Sequence, residues 1–235
     1  MRSRSSSGPE LRGLVLPGVF APRSDSWLLA AVARREPLPA DARVLELCAG
    51  PGLAGVAAAR GRASLTTVDV SRRAVLNARL NGWLNGVPTS ARRGDLFKAV
   101  GDERFDLILA NPPYVPGPPP PDRGPARAWD AGEDGRVVLD RICAAAARHL
   151  RPGGTVLLVH SDIVGADTTL EAYEATGLVA DVAAKERGPL GPLLRERRAE
   201  LEARGQLLPG QLDEVVMVLR GRVPSERSVE ACPTP

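Results

Sequence analysis

Short aliphatic runs alternate with helix-period segments through the middle of the chain. "RVLEL" (43–47), "SLTTVDV" (64–70), "FDLILA" (105–110) and "GGTVLLVH" (153–160) read as strands, being short, rich in aliphatic and β-branched residues and bounded by turn residues. Between them, "LAGVAAAR" (53–60), "SRRAVLNARLNGWLNG" (71–86, capped by Ser71) and "GRVVLDRICAAAARHL" (135–150) carry helical spacing. Beyond residue 166 the pattern predicts a helix near "DTTLEAYEAT", a strand near "LVADVAAK", an arginine-rich helix around 191–204 and a last strand within "LDEVVMVLR". Repeated βα units of this length imply a mainly parallel sheet with helices on both faces. Ligands bind such sheets beyond the carboxyl ends of the strands, so chemistry is sought just after each strand.

At 235 residues and 43% hydrophobic, the chain suits one large domain, expected over 11–221. The ends, 1–10 and 222–235, are rich in Ser, Pro and Arg and are expected to be disordered tails. The longest apolar runs fall short of the roughly 20 residues of a membrane span, and "MRSRSSSGPE" leads into no apolar core, so neither a membrane nor a secretory signal is indicated and a cytoplasmic protein is expected. Cys48, Cys143 and Cys232 form no CxxC pair or disulfide framework and read as reduced thiols. A net charge of +3 raises the question of a nucleic-acid partner. Its arginines, however, are scattered and balanced by acids, as in "LLRERRAELEARG", a solvated helix face, and only 3% of residues are aromatic.

"ELCAGPGLAG" follows the first strand and opens the first helix, and its Gly50, Gly52 and Gly55 match G-x-G-x-x-G. Asp69 ends the next strand, where an acid can accept hydrogen bonds from ribose hydroxyls. Glycines let the backbone pass close to a ligand, and the helix behind them offers free N–H groups, so a nucleoside-containing cofactor is indicated. Dinucleotide and S-adenosylmethionine sites share this layout. Glu46, on the strand itself, would repel a pyrophosphate but suits a cofactor bearing an ammonium and a sulfonium, as S-adenosylmethionine does. The pattern E-x-x-x-G-x-G at a first strand resembles motif I of the Rossmann-like methyltransferases. That resemblance implies that Asp69 is the ribose ligand, that Asp95 in "RGDLF" meets the adenine, and that Cys48, Ala49, Val70 and Leu96 line the cofactor. Cys48 stands where the family usually has glycine, and Pro51 where it has a small polar residue; a covalent cysteine mechanism has no support.

The strand "FDLILA" stops at "NPPYVPGP", which cannot continue a ladder. With a methyl donor inferred, the tetrapeptide reads as chemistry: the side-chain oxygen of Asn111 and the carbonyl of Pro112 can accept N–H bonds from a planar acceptor nitrogen. Pro113 fixes the loop, and Tyr114 offers a flat face. Displacement at a methyl group gains mainly from orientation, so no strong general base is required. Here the sequence resembles the HemK-type methyltransferases, which methylate the glutamine of peptide-chain release factors. The similarity runs from about 17 to 220 and is carried by "PRSDSWLL" (22–29), "NPPYVP" and "AWDAGEDGRVVLDR" (128–141).

The resemblance implies a seven-stranded, mainly parallel sheet with a C-terminal antiparallel strand. It also implies a cofactor-covering segment over 17–40 that brings Pro22 and Asp25 to the site beside Asn111. About 40 residues precede the first strand, so the N-terminal helical domain of bacterial HemK enzymes is expected to be missing and the shorter, eukaryotic and archaeal type to be favoured. The leading expectation is glutamine N5-methylation of a release factor. N6-adenine methylation of DNA or RNA, an NAD-dependent oxidoreductase and a non-catalytic partner subunit are disfavoured alternatives. "VPGPPPPDRGPARAWD" reads as a stiff substrate-side loop whose Trp129 either lines the cleft or anchors the loop. His149 and His160 have no partner at ligand spacing, so no metal is expected. Need for an activator subunit stays open.

Overall fold

The computed structural model describes residues 11–61 and 63–224. Seven strands form one sheet: β1 (Ala42–Leu47), β2 (Ala63–Asp69), β3 (Thr89–Arg93), β4 (Phe105–Ala110), β5 (Leu150–Ser161), β6 (Val179–Pro189) and β7 (Asp213–Arg222). Their order is β3-β2-β1-β4-β5-β7-β6. The first five are parallel, and β7 runs antiparallel to both β5 and β6. The helices are α1 (Ser24–Ala33), α2 (Leu53–Ala59), α3 (Arg72–Leu84), α4 (Val137–Ala146), α5 (Ala166–Glu174), α6 (Pro192–Glu196) and α7 (Arg198–Ala203).

Side chains alternate across the sheet and supply two cores. Val44, Leu107, Leu109, Leu157 and Val159 pack on one face with α1 and α2 through Leu29, Ala33 and Val56. Leu45, Leu47, Ile108, Val156 and Leu158 pack on the other with α4 and α5 through Leu139, Ile142 and Tyr173. The near-continuous aliphatic runs in β1 and β4 reflect this covering on both faces.

Strand order reverses between β1 and β4, and the loops leaving them diverge into a crevice. Leu47 pairs with Ala110, so Cys48 and Asn111 leave the sheet side by side. The glycine turn and "NPPY" therefore meet at one point although 61 positions separate Gly50 from Asn111.

Several boundaries differ from the sequence reading. The segment over 17–40 contains a true helix, α1, whose Leu29, Ala30 and Ala33 are buried. β3, "TSARR", has no aliphatic run and is an edge strand paired to β2 alone. The helix expected over 135–150 is confined to Val137–Ala146 and passes through a 3₁₀ turn (Ala147–His149) directly into β5, which starts at Leu150. The arginine-rich helix is broken into α6 and α7 at Arg197. Arg222, placed in the expected C-terminal tail, belongs to β7, and the Val223 N–H donates to the Gly154 carbonyl. The remainder of both expected tails and Cys232 lie outside the described residues. Among the described residues no helix is long and apolar enough to cross a membrane.

Candidate active site

The turn after β1 is built on left-handed backbone: Cys48, Gly50 and Gly52 have φ of 50°, 52° and 74°. That explains the glycine usual at position 48; a non-glycine residue there costs about 1–2 kcal/mol. The Cys48 thiol is pushed well above its ordinary range by burial and by the nearby negative charges of Asp69 and Asp95, which makes it inert. Gly52 caps α2 and faces α3, where a Cβ would come within 2.8 Å of Ala78 Cβ; it packs the helices rather than lining the crevice. At Gly55 a Cβ would lie 2.5 Å from Glu46 Oε2 and 2.6 Å from Leu65 Cδ1.

Glu46 is buried, and its Oε2 accepts the Gly55 N–H at 2.9 Å. Burial pushes its carboxyl up to about 8, with the negative charge of Asp69 adding to the rise and the backbone N–H groups of Gly55 and Ala54 opposing it. No cation pairs with it among the described residues. Asp69 closes β2 and binds the turn back onto itself: Oδ2 accepts the Gly50 N–H at 2.9 Å and Oδ1 the Ser71 N–H at 2.8 Å. Its pKa is also raised by burial, against those two bonds and the charge of Arg127. Asp95 sits further along the wall, paired to Arg141 at 2.6 Å, with Leu96 buried beside it.

"NPPY" is held from above by α1. Ser26 Oγ donates its single proton to Asp25 Oδ1 at 3.1 Å, so it accepts from the Asn111 Nδ2 at 3.0 Å. This fixes the Asn111 amide with its nitrogen tethered and its oxygen free to accept. The Tyr114 hydroxyl donates to Asp25 Oδ2 at 3.1 Å, and burial together with the charges of Asp25 and Glu214 drives the phenol pKa well up, so it stays a neutral donor.

A second device, absent from the sequence reading, seats the chain that leads into α1. Asn77 and Asn81 on α3, with Asn85 at its C-cap, act as a ladder for residues 12–16. Asn77 Oδ1 accepts the Leu16 N–H at 2.8 Å, Asn81 Oδ1 the Leu14 N–H at 2.9 Å, and Asn85 Oδ1 the Arg12 N–H at 3.0 Å. The amide nitrogens of Asn77 and Asn81 both donate to the Leu14 carbonyl, at 2.8 and 2.9 Å. The i, i+4, i+8 spacing of asparagine was the available signal.

Together these elements enclose a cavity of about 990 Å³ whose lining includes Pro22, Asp25, Glu46, Cys48, Ala49, Gly50, Asp69, Val70, Asp95, Leu96 and Asn111 through Tyr114. Every residue singled out for cofactor or chemistry therefore lines one cavity, Gly52 and the motif's Gly55 excepted. Ser26, Arg127 and Glu214 line it as well and were not singled out. Trp129 does both things considered for it, lining the cavity and packing against a small leucine cluster. His149 stacks on Phe97, and His160 is buried against Thr169 Oγ1 at 2.9 Å; neither faces the cavity.

The methyltransferase small domain family model matches residues 12–122. A protein of Methanocaldococcus jannaschii bearing the name "putative protein N5-glutamine methyltransferase" is 33% identical over 195 residues, covering 79% of this chain and 95% of that one. The release factor glutamine methyltransferase of Mycolicibacterium smegmatis is 37% identical over 179 residues, 72% of this chain. The match spans 63% of that relative's length. Among solved structures, the E. cuniculi Mtq2–Trm112 complex, responsible for methylation of the eRF1 translation termination factor, superposes with a TM-score of 0.61 at 22% identity, covering 88% of this chain and 99% of that one. That likeness establishes a Rossmann-like methyltransferase fold, and the near full-length archaeal match goes further: the chain belongs to the family of protein N5-glutamine methyltransferases.

Proposed function

We propose that this protein transfers a methyl group from S-adenosylmethionine to the side-chain amide nitrogen of a glutamine, in a peptide-chain release factor. The single observation that carries the chemistry is the tethered Asn111: its nitrogen is held by Ser26, so its oxygen is presented as an acceptor beside the paired carboxyl ends of β1 and β4.

The residues fit the cofactor. A buried carboxylate with no cation beside it, Glu46, suits an ammonium group; Asp69, with both oxygens anchored on backbone and lone pairs to spare, suits a ribose diol; Val70 and Leu96 offer apolar contact beside Asp95. When bound, the cofactor supplies an electrophilic methyl group on sulfur. The protein's part is to hold the acceptor. An amide nitrogen is planar, and Asn111 Oδ1 with the Pro112 carbonyl can take its two N–H bonds, while Tyr114, fastened by Asp25, provides a flat wall. Accepting these bonds directs the nitrogen and favours the build-up of positive charge on it. α1 and the segment before it contribute Gly18 to Trp27 to the lining of the crevice, on the side from which Asn111 and Tyr114 are held.

Labelled methyl transfer from S-adenosylmethionine to release factor, to its glutamine-to-alanine version and to nucleic acid, run side by side, tests the reading. Label on the native release factor alone is expected; label on RNA or DNA and not on release factor overturns it. Asn111→Ala is expected to abolish transfer while S-adenosylhomocysteine still binds, and retained turnover counts against its role.

A further inference from the structure

Between β6 and β7 the chain makes an excursion, 190–212, that adds nothing to the sheet. Its α6 and α7 build a third, separate core: Leu190, Leu194, Leu201 and Leu207 close around Val115, with Trp129 packed against them. Val115 directly follows Tyr114. The acceptor tetrapeptide is thus continuous with a loop whose packing partner is this excursion, not the sheet.

One side chain joins the two. Arg197 sits at the break between α6 and α7. Its Nη1 donates to the Pro116 carbonyl at 3.0 Å and its Nη2 pairs with Asp130 Oδ1 at 2.5 Å. Pro116 and Asp130 are the two stems of the proline-rich loop, already joined by the Val115 N–H to the Trp129 carbonyl at 2.9 Å and the Ala131 N–H to the Val115 carbonyl at 3.2 Å. The Asp130 side chain is only 7% exposed and that of Arg197 20%, so the pair is largely out of water. Gly117 makes room for it: a Cβ there would lie 2.1 Å from Arg197 Nη1.

We infer that Arg197 is a positioning residue for methyl transfer, latching both stems of the acceptor loop to the α6–α7 excursion and so holding Pro112 and Tyr114 in register with the acceptor nitrogen. Chemistry explains the choice of arginine. The guanidinium presents separate donors on a rigid fork and serves a carbonyl and a carboxylate at once, whereas lysine is a single point charge on a flexible stem. A buried Asp130 without its cation would be an uncompensated charge, so the loop and the excursion are stable only together. The excursion also lines the cavity from Leu190 to Arg195, so the latch ties the acceptor loop to a second part of the same wall.

The proposal rests on the methyltransferase reading for what the loop does, but its test does not. Trp27, Trp83 and Trp129 are the three tryptophans, and replacing the first two by phenylalanine leaves Trp129 as a reporter beside the latch. In that background Arg197→Lys and Arg197→Gln are expected to increase acrylamide quenching of Trp129, while circular dichroism and melting still show a folded protein. In the protein with its native tryptophans, Arg197→Gln is expected to lower kcat for the acceptor by about tenfold or more, with affinity for S-adenosylhomocysteine within about twofold, and Arg197→Lys to fall between. Unchanged Trp129 quenching overturns the latch whatever the acceptor proves to be. A kcat that falls only in proportion to the folded fraction overturns the positioning role. If the wild type methylates no release factor, the substrate reading fails and the quenching result alone decides the latch.

Discussion

Glu46 offers the sharpest test, because burial has raised its carboxyl to about 8 with no cation beside it. The direction follows from linkage. In the unfolded chain the group titrates near 4.5, so the folded, ligand-free protein holds a proton that the unfolded chain has released, and stability from this site is lost as pH rises from about 4.5 to about 8. At pH 7 about nine-tenths of the folded molecules carry that proton. A ligand whose ammonium lies against the carboxylate must displace it, so binding should release about 0.9 proton at pH 7, and affinity should rise about tenfold per pH unit below 8 and level off above it. The ligand's own amino group titrates in the same range, which makes Glu46→Gln the necessary reference: that ligand contribution is common to both proteins and cancels. Titration calorimetry of S-adenosylhomocysteine in buffers of different ionisation enthalpy counts the protons. A wild-type release exceeding that of Glu46→Gln by close to one proton at pH 7, shrinking towards zero by pH 9.5, is the expected result. Equal proton counts in the two proteins at pH 7 would refute the placement of a ligand cation at this carboxylate.

Other perturbations are equally direct. Gly55→Ala forces a Cβ to within 2.5 Å of Glu46 Oε2, and overpacking of this kind costs about 1–3 kcal/mol; denaturant unfolding should show that loss together with weakened S-adenosylhomocysteine binding. Glu214 accepts the Gly191 N–H at 2.7 Å, and burial raises its pKa against the opposing Ser161 hydroxyl and that N–H, with the charges of Asp162 and Asp25 adding to the rise. Glu214→Gln keeps the first bond and removes a buried charge, so its melting temperature should exceed the wild type's at pH 8, with the gap closing towards pH 4.5; a gap independent of pH would contradict the assignment. Asn81→Ala deletes bonds to both the N–H and the carbonyl of Leu14 and to the Pro51 carbonyl, and a loss of about 2–4 kcal/mol is expected, with earlier proteolytic cutting in residues 11–23; an unchanged cutting pattern would show that the asparagine ladder does not hold that segment.

What the chain declares locally it declares well. Uninterrupted aliphatic runs mark the strands buried on both faces, and Gly50, Gly52 and Asp69 announce a turn and an acid, because φ above zero and strand-end placement are properties of short stretches. β3 escaped, since an edge strand that buries little needs no aliphatic run. The break at Arg197 escaped too, because helical spacing persists across it.

The partners are what only tertiary structure decided. That Asn111 is oriented by Ser26, 85 positions away, that Tyr114 is fastened by Asp25, and that Asp130 is matched by Arg197, 67 positions on, follows from the parallel pairing of β1 with β4 and from where α1 and the excursion come to rest. A polar side chain carries the same donors and acceptors wherever it stands in a sequence. Which of them it uses is settled only when folding removes water and leaves a particular neighbour at hydrogen-bond distance.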